Sequence, residues 1–421
     1  MSWVLPAALS SLIRACIMEP GQKHQPSSSP IEVFLAFLKL GLTSFGGPIA
    51  HIGYFRKELV ERRRWINEEQ FGQLLAICQF LPGPASSQLG FTLGLHRAGV
   101  PGAIAAFIAF AIPSVLLLLV FASAFPLLSS PIGDAAVRGL KLVACAVVAD
   151  AVISMARDLC QDAGRRVIAV LSFVAVLVVA SALAQLVVIA VAALLGLLFL
   201  RGVAAADGTG QLGIGYGRRT GAGLLLVFAA LLLGLPFLAT GDPGFGSVAD
   251  TFYRTGALVF GGGHVVLPLL QESVVSTGWV ESEQFLAGYG AAQAIPGPLF
   301  AFSAYLGAVL ASEGSAMPMA MTALVFIFLP GFLLVAGVLP FWRAVSHNAV
   351  AGRAIAGVNA AVVGLLAAAL YDPIFLSGIT GSSDLVIALI GFGLLAIWRL
   401  SPLIVVLWCV SASITMSWLL A

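Results

Sequence analysis

From Val167 to Leu200 the chain runs without a single charged side chain, a stretch too long for the packed core of a soluble domain. Two short membrane crossings account for it. The composition agrees, because 60% of the 421 residues are hydrophobic and 10% charged, with a mean hydropathy of +1.04, where soluble domains carry roughly 25% charged residues. Most side chains therefore meet lipid or another helix, and the lipid bilayer is the first partner. A net charge of +2 gives no basic surface for tracking phosphates, so no nucleic acid is expected. Five scattered cysteines (Cys16, Cys78, Cys145, Cys160, Cys409) lack CxxC or paired spacing and read as small apolar fillers, so no metal site or cofactor is expected. The chain also lacks HExxH, GxSxG and paired aspartates within spans, which argues against an enzyme.

The first nineteen residues are apolar but contain Pro6 and Arg14 and lack a basic leading region, so they do not read as a cleavable signal peptide. Residues 1–30 form a tail, within which Met18 is a second candidate start.

The chain repeats itself. Lys39-Leu-Gly-Leu-Thr-Ser-Phe-Gly-Gly47 aligns with Arg254-Thr-Gly-Ala-Leu-Val-Phe-Gly-Gly262 at an offset of 215. At an offset of 214, Trp65–Phe71 aligns with Trp279–Phe285, and Gln79-Phe-Leu-Pro-Gly-Pro84 with Gln293-Ala-Ile-Pro-Gly-Pro298. Three matched blocks separated by one indel mark a transporter assembled from two related halves. We divide the chain into the tail 1–30, a first repeat 31–200, a cytoplasmic loop and linker helix 201–245, and a second repeat 246–421.

Lysines and arginines orient it, since short cytoplasmic loops carry their excess. The loops with Arg56-Lys57 and Arg62–Arg64, with Arg157, Arg165 and Arg166, with Arg201, Arg218 and Arg219, with Arg343 and Arg353, and with Arg399 read as cytoplasmic. Such an arrangement belongs in a cell inner membrane, with the N-terminus cytoplasmic. The alternation holds if the segments around Phe45-Gly46-Gly47 and Pro82-Gly83-Pro84, and their copies, enter and leave on one side as re-entrant half-helices. Their flanks are shorter than the roughly 20 residues a crossing needs. Full spans are expected near 100–122, 138–155, 167–182, 185–200, 221–240, 318–340, 354–370, 385–399 and 402–420. Four crossings per half and one linker invert the second repeat, and so do thirteen full crossings. The expected fold is an all-α polytopic membrane protein, with two inverted repeats of broken re-entrant half-helices joined by a linker helix.

Glycine before proline stops one helix and starts another. Behind Pro84 the amides of Ala85, Ser86 and Ser87 have no intrahelical partner and lie at the positive end of a helix dipole, which suits an oxyanion. The hydroxyls of Ser86 and Ser87 add donors. Behind Pro296-Gly297-Pro298, Leu299, Phe300 and Ala301 offer amides but no hydroxyl before Ser303. Simple kinks are the competing explanation, although they leave the symmetric repetition of four motifs without a cause. Lys39 and Arg254 precede the Phe45-Gly46-Gly47 and Phe260-Gly261-Gly262 turns by six residues. They either converge on a dianion or snorkel to the interface. Gln79 and Gln293 either donate amides to the anion or pack. Glu69, Glu283, Gln70 and Gln284 read as helix caps. His51 and His264 follow the turns as proton carriers or polar lining. Asp150 and Lys141 form a proton or ion-pair element, or Asp150 reaches Arg157.

Ser44-Phe-Gly-Gly-Pro48 with Ala50-His51, Cys78-Gln-Phe-Leu-Pro-Gly-Pro-Ala-Ser-Ser-Gln88, Phe260-Gly-Gly-Gly-His264 and Gly288-Tyr-Gly-Ala-Ala-Gln293 through Pro296-Gly-Pro298 resemble signatures of the chromate ion transporter family, long two-domain form. The resemblance covers roughly residues 31–400. It implies export of chromate from the cytoplasm and chromate resistance. The residue reading is compatible with that: Gly46, Gly47, Pro82, Gly83, Gly261, Gly262, Gly263, Pro296 and Gly297 bend the chain around a tetrahedral dianion. Sulfate has the same shape and charge, and inward carriage of sulfate stays open, as do a channel and a homodimer.

Overall fold

The computed structural model describes residues 29–128, 130–179, 182–200, 216–260, 263–312, 314–342 and 349–420, and these form helices joined by turns, without strands. Residues 1–28 of the tail, with Cys16 and Met18, lie outside the described residues, as do Arg201, Gly261, Gly262 and Arg343.

Helix starts follow local chemistry. Helix α1 (Pro30–Thr43) has Ser29 as N-cap, its side chain accepting from the Ile31 amide, and proline in its first turn. It ends at Ser44, after which Gly46 takes φ 99°, in the left-handed region that glycine enters without penalty. Helix α2 (Gly47–Phe55) begins there and continues as a π-helical stretch, Arg56–Arg62. Helix α3 (Glu68–Phe80) opens on a capping box between Asn67 and Gln70, so Gln70 caps, as the sequence reading held. Helix α4 (Ala85–Ala124) follows Pro84 and breaks at Ala98 and Gly99, so its first three turns form a half-helix and the membrane-length part begins at Val100. Then come α5 (Pro131–Leu159), α6 (Ala163–Val178), α7 (Ala182–Phe199) and the linker α8 (Arg218–Gly234).

The second half repeats this order. It runs α9 (Phe245–Leu258), a 3-10 turn Gly263–Val265 into α10 (Val266–Val274), α11 (Ser282–Ala294), and a 3-10 turn Leu299–Ala301 into α12 (Phe302–Leu310). After these lie α13 (Ala316–Val338), α14 (Ala349–Ala369), α15 (Ser382–Ala396) and α16 (Pro402–Leu420). The four short pairs, α1/α2, α3/start of α4, α9/α10 and α11/α12, are the broken half-helices.

Within each half the first half-helix packs on the kinked long helix, α1 on α4 and α9 on α13. The glycines at the repeat-equivalent positions explain how closely. A Cβ on Gly41 would stand 2.7 Å from the Phe110 carbonyl oxygen, and one on Gly256 would stand 2.1 Å from that of Ile327. Between halves the packing is exchanged: α5 lies against α15 and α16, while α14 lies against α6 and α7. Each half supplies the central helix of the other half's terminal hairpin, the reciprocity that a two-fold relation between inverted repeats produces.

Six described helices are long and apolar enough to cross a bilayer: Ala85–Leu128, Pro131–Leu159, Arg218–Leu238, Ala316–Phe341, Val350–Gly378 and Pro402–Leu419. Of the nine full spans expected, those near 167–182, 185–200 and 385–399 form helices of 16, 18 and 15 residues. At 1.5 Å per residue these reach about 22 to 27 Å, short of a hydrocarbon core of roughly 30 Å.

Candidate functional site

Each Pro-Gly-Pro turn meets the end of the other half's first half-helix. The amide of Gly297 donates to the Ser44 carbonyl at 3.0 Å, and the amide of Gly83 donates to the Val259 carbonyl at 2.6 Å. Gly83 and Gly297 are repeat equivalents, and so are Ser44 and Val259, so the Pro-Gly-Pro turn of each half caps the first half-helix of the other. Both glycines have positive φ, 124° for Gly83 and 102° for Gly297. Two further contacts join the pairs. His51 Nδ1 lies 3.4 Å from Ser86 Oγ, and a Cβ on Gly47 would face His264 Nε2 at 4.0 Å.

Behind these turns stand the long helices. Ser114 Oγ donates to the Pro296 carbonyl at 2.7 Å. Gln88 Nε2 donates to the carbonyls of Pro82 (2.9 Å) and Gly331 (3.0 Å). Pro113-Ser114 and Pro330-Gly331 lie inside α4 and α13 at matching places. The sequence reading missed this third repeated element, although Ile112-Pro-Ser-Val-Leu-Leu117 beside Leu329-Pro-Gly-Phe-Leu-Leu334 carries its signal.

Several buried polar atoms here have no hydrogen-bond partner: Ser44 Oγ, Ser87 Oγ, Gln88 Oε1 and Gln293 Nε2. Ser44, Ser86, Ser87 and Gln293 are 0%, 3%, 5% and 8% exposed. Ser44 Oγ, Ser87 Oγ and Gln293 Nε2 can donate, whereas Gln88 Oε1 can only accept; an unsatisfied buried donor is costly, so a solute that offers acceptors would relieve the first three. Helix α4 starts as an α-helix behind Pro84, leaving the Ala85, Ser86 and Ser87 amides pointing out of its first turn. Its counterpart starts as a 3-10 turn, in which the Ala301 amide donates to Pro298. Of the amides expected there, Leu299 and Phe300 therefore remain, and Ala301 does not.

Other expectations change as well. Gln79 is exposed on α3, unlike its buried counterpart Gln293. Lys39 binds Glu58 at 2.8 Å and Arg254 binds Asp250, with the two cationic side chains 48% and 44% exposed. Neither brings an unpaired charge to the turns. Each lies six residues, about 9 Å of helix, before its turn. Sequence reading overlooked Glu58 because it stands among arginines. It receives Lys39, Arg62 and Arg63 together; burial pushes its carboxyl up, but those hydrogen bonds outweigh burial and hold it down at about 2. Lys141 pairs with Glu283 at 2.9 Å, not with Asp150, which is half-buried. That ion pair also takes Glu283 beyond simple capping. His264 Nδ1 lies 2.7 Å from the Tyr289 hydroxyl, where His51 Nδ1 has the Ser86 hydroxyl at 3.4 Å.

A cavity of about 770 Å³ opens between α4, α8 and α13, lined by Phe91, Ile104, Phe107, Leu329 and Phe332. Its apolar wall suits hydrocarbon, not a dianion.

The chromate transporter family matches residues 31–197 and again 246–414, a copy in each half. The chain belongs to this family. Among its relatives, the chromate transport protein of Pseudomonas aeruginosa is 30% identical over 363 residues, 82% of this chain and 81% of that one. The probable chromate transport protein of Synechococcus elongatus is 29% identical over 394 residues, covering 91% and 94%. That of Cupriavidus metallidurans is 26% identical over 349 residues, 82% of each. No solved structure matches the chain. Family and apolar helices together make it a multi-pass membrane transporter, one whose halves are joined in this chain by the reciprocal Gly83–Val259 and Gly297–Ser44 hydrogen bonds described above.

Proposed function

We propose that the interlocked turns bind chromate and release it on the far side of an inner membrane, exporting it by alternating access and giving chromate resistance. The observation that carries this reading is the set of unpartnered buried groups, Ser44, Ser87 and Gln293, beside the free amides that follow Pro84. A tetrahedral dianion needs several donors at once, and helix N-termini with hydroxyls supply them without a metal. The relatives named as chromate transport proteins support chromate as the solute.

In this reading the repeat boundaries are those of the two halves, 31–200 and 246–421, with 201–245 as linker. Gly46, Gly47, Gly83, Gly263 and Gly297 let backbone approach the anion, while Phe45, Pro82, Pro84, Pro296 and Pro298 fix the bends. Lys39 and Arg254, already paired, draw the anion toward the turns. His51 and His264 line the path and, with Asp150, are the groups available for a coupled proton. The exchanged packing of α5 and α14 gives the halves a shared scaffold about which the turns can open to either side.

Flux of labelled chromate and labelled sulfate into proteoliposomes, under imposed voltage and pH gradients, tests this. Saturable chromate flux that excess cold chromate trans-stimulates supports it. Trans-stimulation by sulfate alone makes the protein a sulfate carrier, and flux that never saturates makes it a channel.

A further inference from the structure

Helix α10 has the anion site at one end, through His264 just before it, and a second polar pocket at the other. Gln271 and Glu272 lie in its last turn, where they meet Gln185 on α7 and Asp372, at which the extension of α14 breaks with φ −125° and ψ 114°. These four line a cavity of about 90 Å³ whose remaining wall is apolar, including Val176 and Leu365. That is room for an ion and a few waters, one water occupying roughly 30 Å³.

The side chains present two carboxylates and two amides. Gln185 and Gln271 are only 7% and 8% exposed, and Gln271 Oε1 accepts no hydrogen bond. A buried acceptor left unsatisfied asks for a donor or a cation. Among the described residues neither Glu272 nor Asp372 enters an ion pair with lysine or arginine. Among the described residues the Ser276 hydroxyl donates to Glu272 Oε2 at 3.1 Å. The C-terminal end of α10 adds the negative pole of a helix dipole. No thiolate or imidazole lines the cavity, so its ligands are all hard oxygens, the preference of alkali and alkaline-earth cations. Among the described residues no cluster of three or more histidine, cysteine or acidic groups exists for a metal, and calcium takes six to eight oxygens as a rule.

We propose that this pocket binds a sodium-sized monovalent cation, held by Glu272, Asp372 and the side-chain oxygens of Gln271 and Gln185. Because α10 runs from this pocket to the glycine turns, an ion here and an anion there bear on one rigid element. Occupancy of the first site then biases the second.

The cation site is tested on the purified full-length protein in detergent without any oxyanion, so the result does not depend on the chromate reading. Sodium chloride replaces choline chloride at constant ionic strength while thermal unfolding and equilibrium dialysis of radioactive sodium are followed. A ligand that binds only the folded state raises the midpoint in a saturable way. The expected result is saturable sodium binding and a saturable upward shift, both lost in Glu272→Gln and Asp372→Asn, with midpoints in choline chloride unchanged. Gln271→Met, which keeps the shape and removes the oxygen, weakens binding as well. Equal midpoints in sodium and choline with no bound sodium, or sodium binding retained in all three variants, overturns the proposal. Saturation by magnesium or calcium at lower concentration than sodium overturns the monovalent assignment.

Discussion

Two turns with the same Pro-Gly-Pro sequence lead into different helix starts. After Pro84 come Ala85, Ser86 and Ser87, small residues that begin an α-helix with its amides free. After Pro298 come Leu299 and Phe300, the latter packed against Phe328 at 5.7 Å, and the chain tightens into a 3-10 turn that consumes the Ala301 amide. The positive-φ glycine turn is common to both halves, while the helix start behind it and the chemistry that start presents are not. The first half holds the hydroxyls and free amides, and the second contributes the buried Gln293 and the His264–Tyr289 pair.

The comparison breaks most sharply at the glycines. Gly297→Ala puts a Cβ 2.1 Å from Ser114 Oγ, and Gly83→Ala puts one 2.7 Å from Gln88 Nε2, both at positive φ. Backbone strain alone costs about 1–3 kcal/mol. Both variants should lose thermal stability and transport, Gly297→Ala more, since the hydroxyl it displaces is the one that holds Pro296. Equal stability to wild type in both would show that the turns are not locked together.

The cations come next. Arg254→Ala leaves Asp250, 5% exposed, without its partner, and an orphaned buried charge costs about 3 kcal/mol. Lys39→Ala leaves Glu58 with Arg62 and Arg63 and, for a half-exposed pair, costs under about 1 kcal/mol. Denaturation of the two variants side by side should separate them. Loss of chromate tolerance in Lys39→Ala at normal membrane levels would return Lys39 to the anion itself.

The glutamines differ by less. Gln293→Ala should weaken chromate about tenfold, the equivalent of one net hydrogen bond to a charged group at roughly 1.5 kcal/mol, while exposed Gln79→Ala should change half-saturation little.

Acid gives the smallest effect. The Glu58 carboxyl sits at about 2 against an ordinary 4.5, so the unfolded chain takes up its proton first as pH falls. Stability from this cluster is complete above about 4.5 and drains away as pH falls toward 2. Glu58→Gln should flatten that part of the stability profile.

Much of this was legible in the residues. Repeated Gly-Gly and Pro-Gly-Pro blocks with short apolar flanks pointed to the broken half-helices, and apolar length pointed to six long spans while overreaching at the three shorter helices near 167–182, 185–200 and 385–399. The joints between Gly297 and Ser44 and between Gly83 and Val259 were not, because a backbone hydrogen bond leaves no side-chain signature. Nor was the difference between Gln79 and Gln293, identical residues at aligned positions whose burial is decided by neighbours. Lys39 looked like a lone intramembrane cation because its partner, Glu58, lies beyond the turn in an arginine-rich segment. The acidic pocket of Glu272 and Asp372 was hidden for a similar reason. A hundred positions separate its carboxylates, and each alone looks like a loop residue.

The most direct measurement is chromate half-saturation for wild type, Ser87→Ala and Ser303→Ala. Ser87 Oγ is buried without a partner, whereas Ser303 Oγ already donates to the Phe300 carbonyl at 2.8 Å. The account predicts about tenfold weaker chromate binding in Ser87→Ala and wild-type binding in Ser303→Ala. Unchanged affinity in Ser87→Ala, with the protein folded and inserted, would contradict an anion held at the interlocked turns.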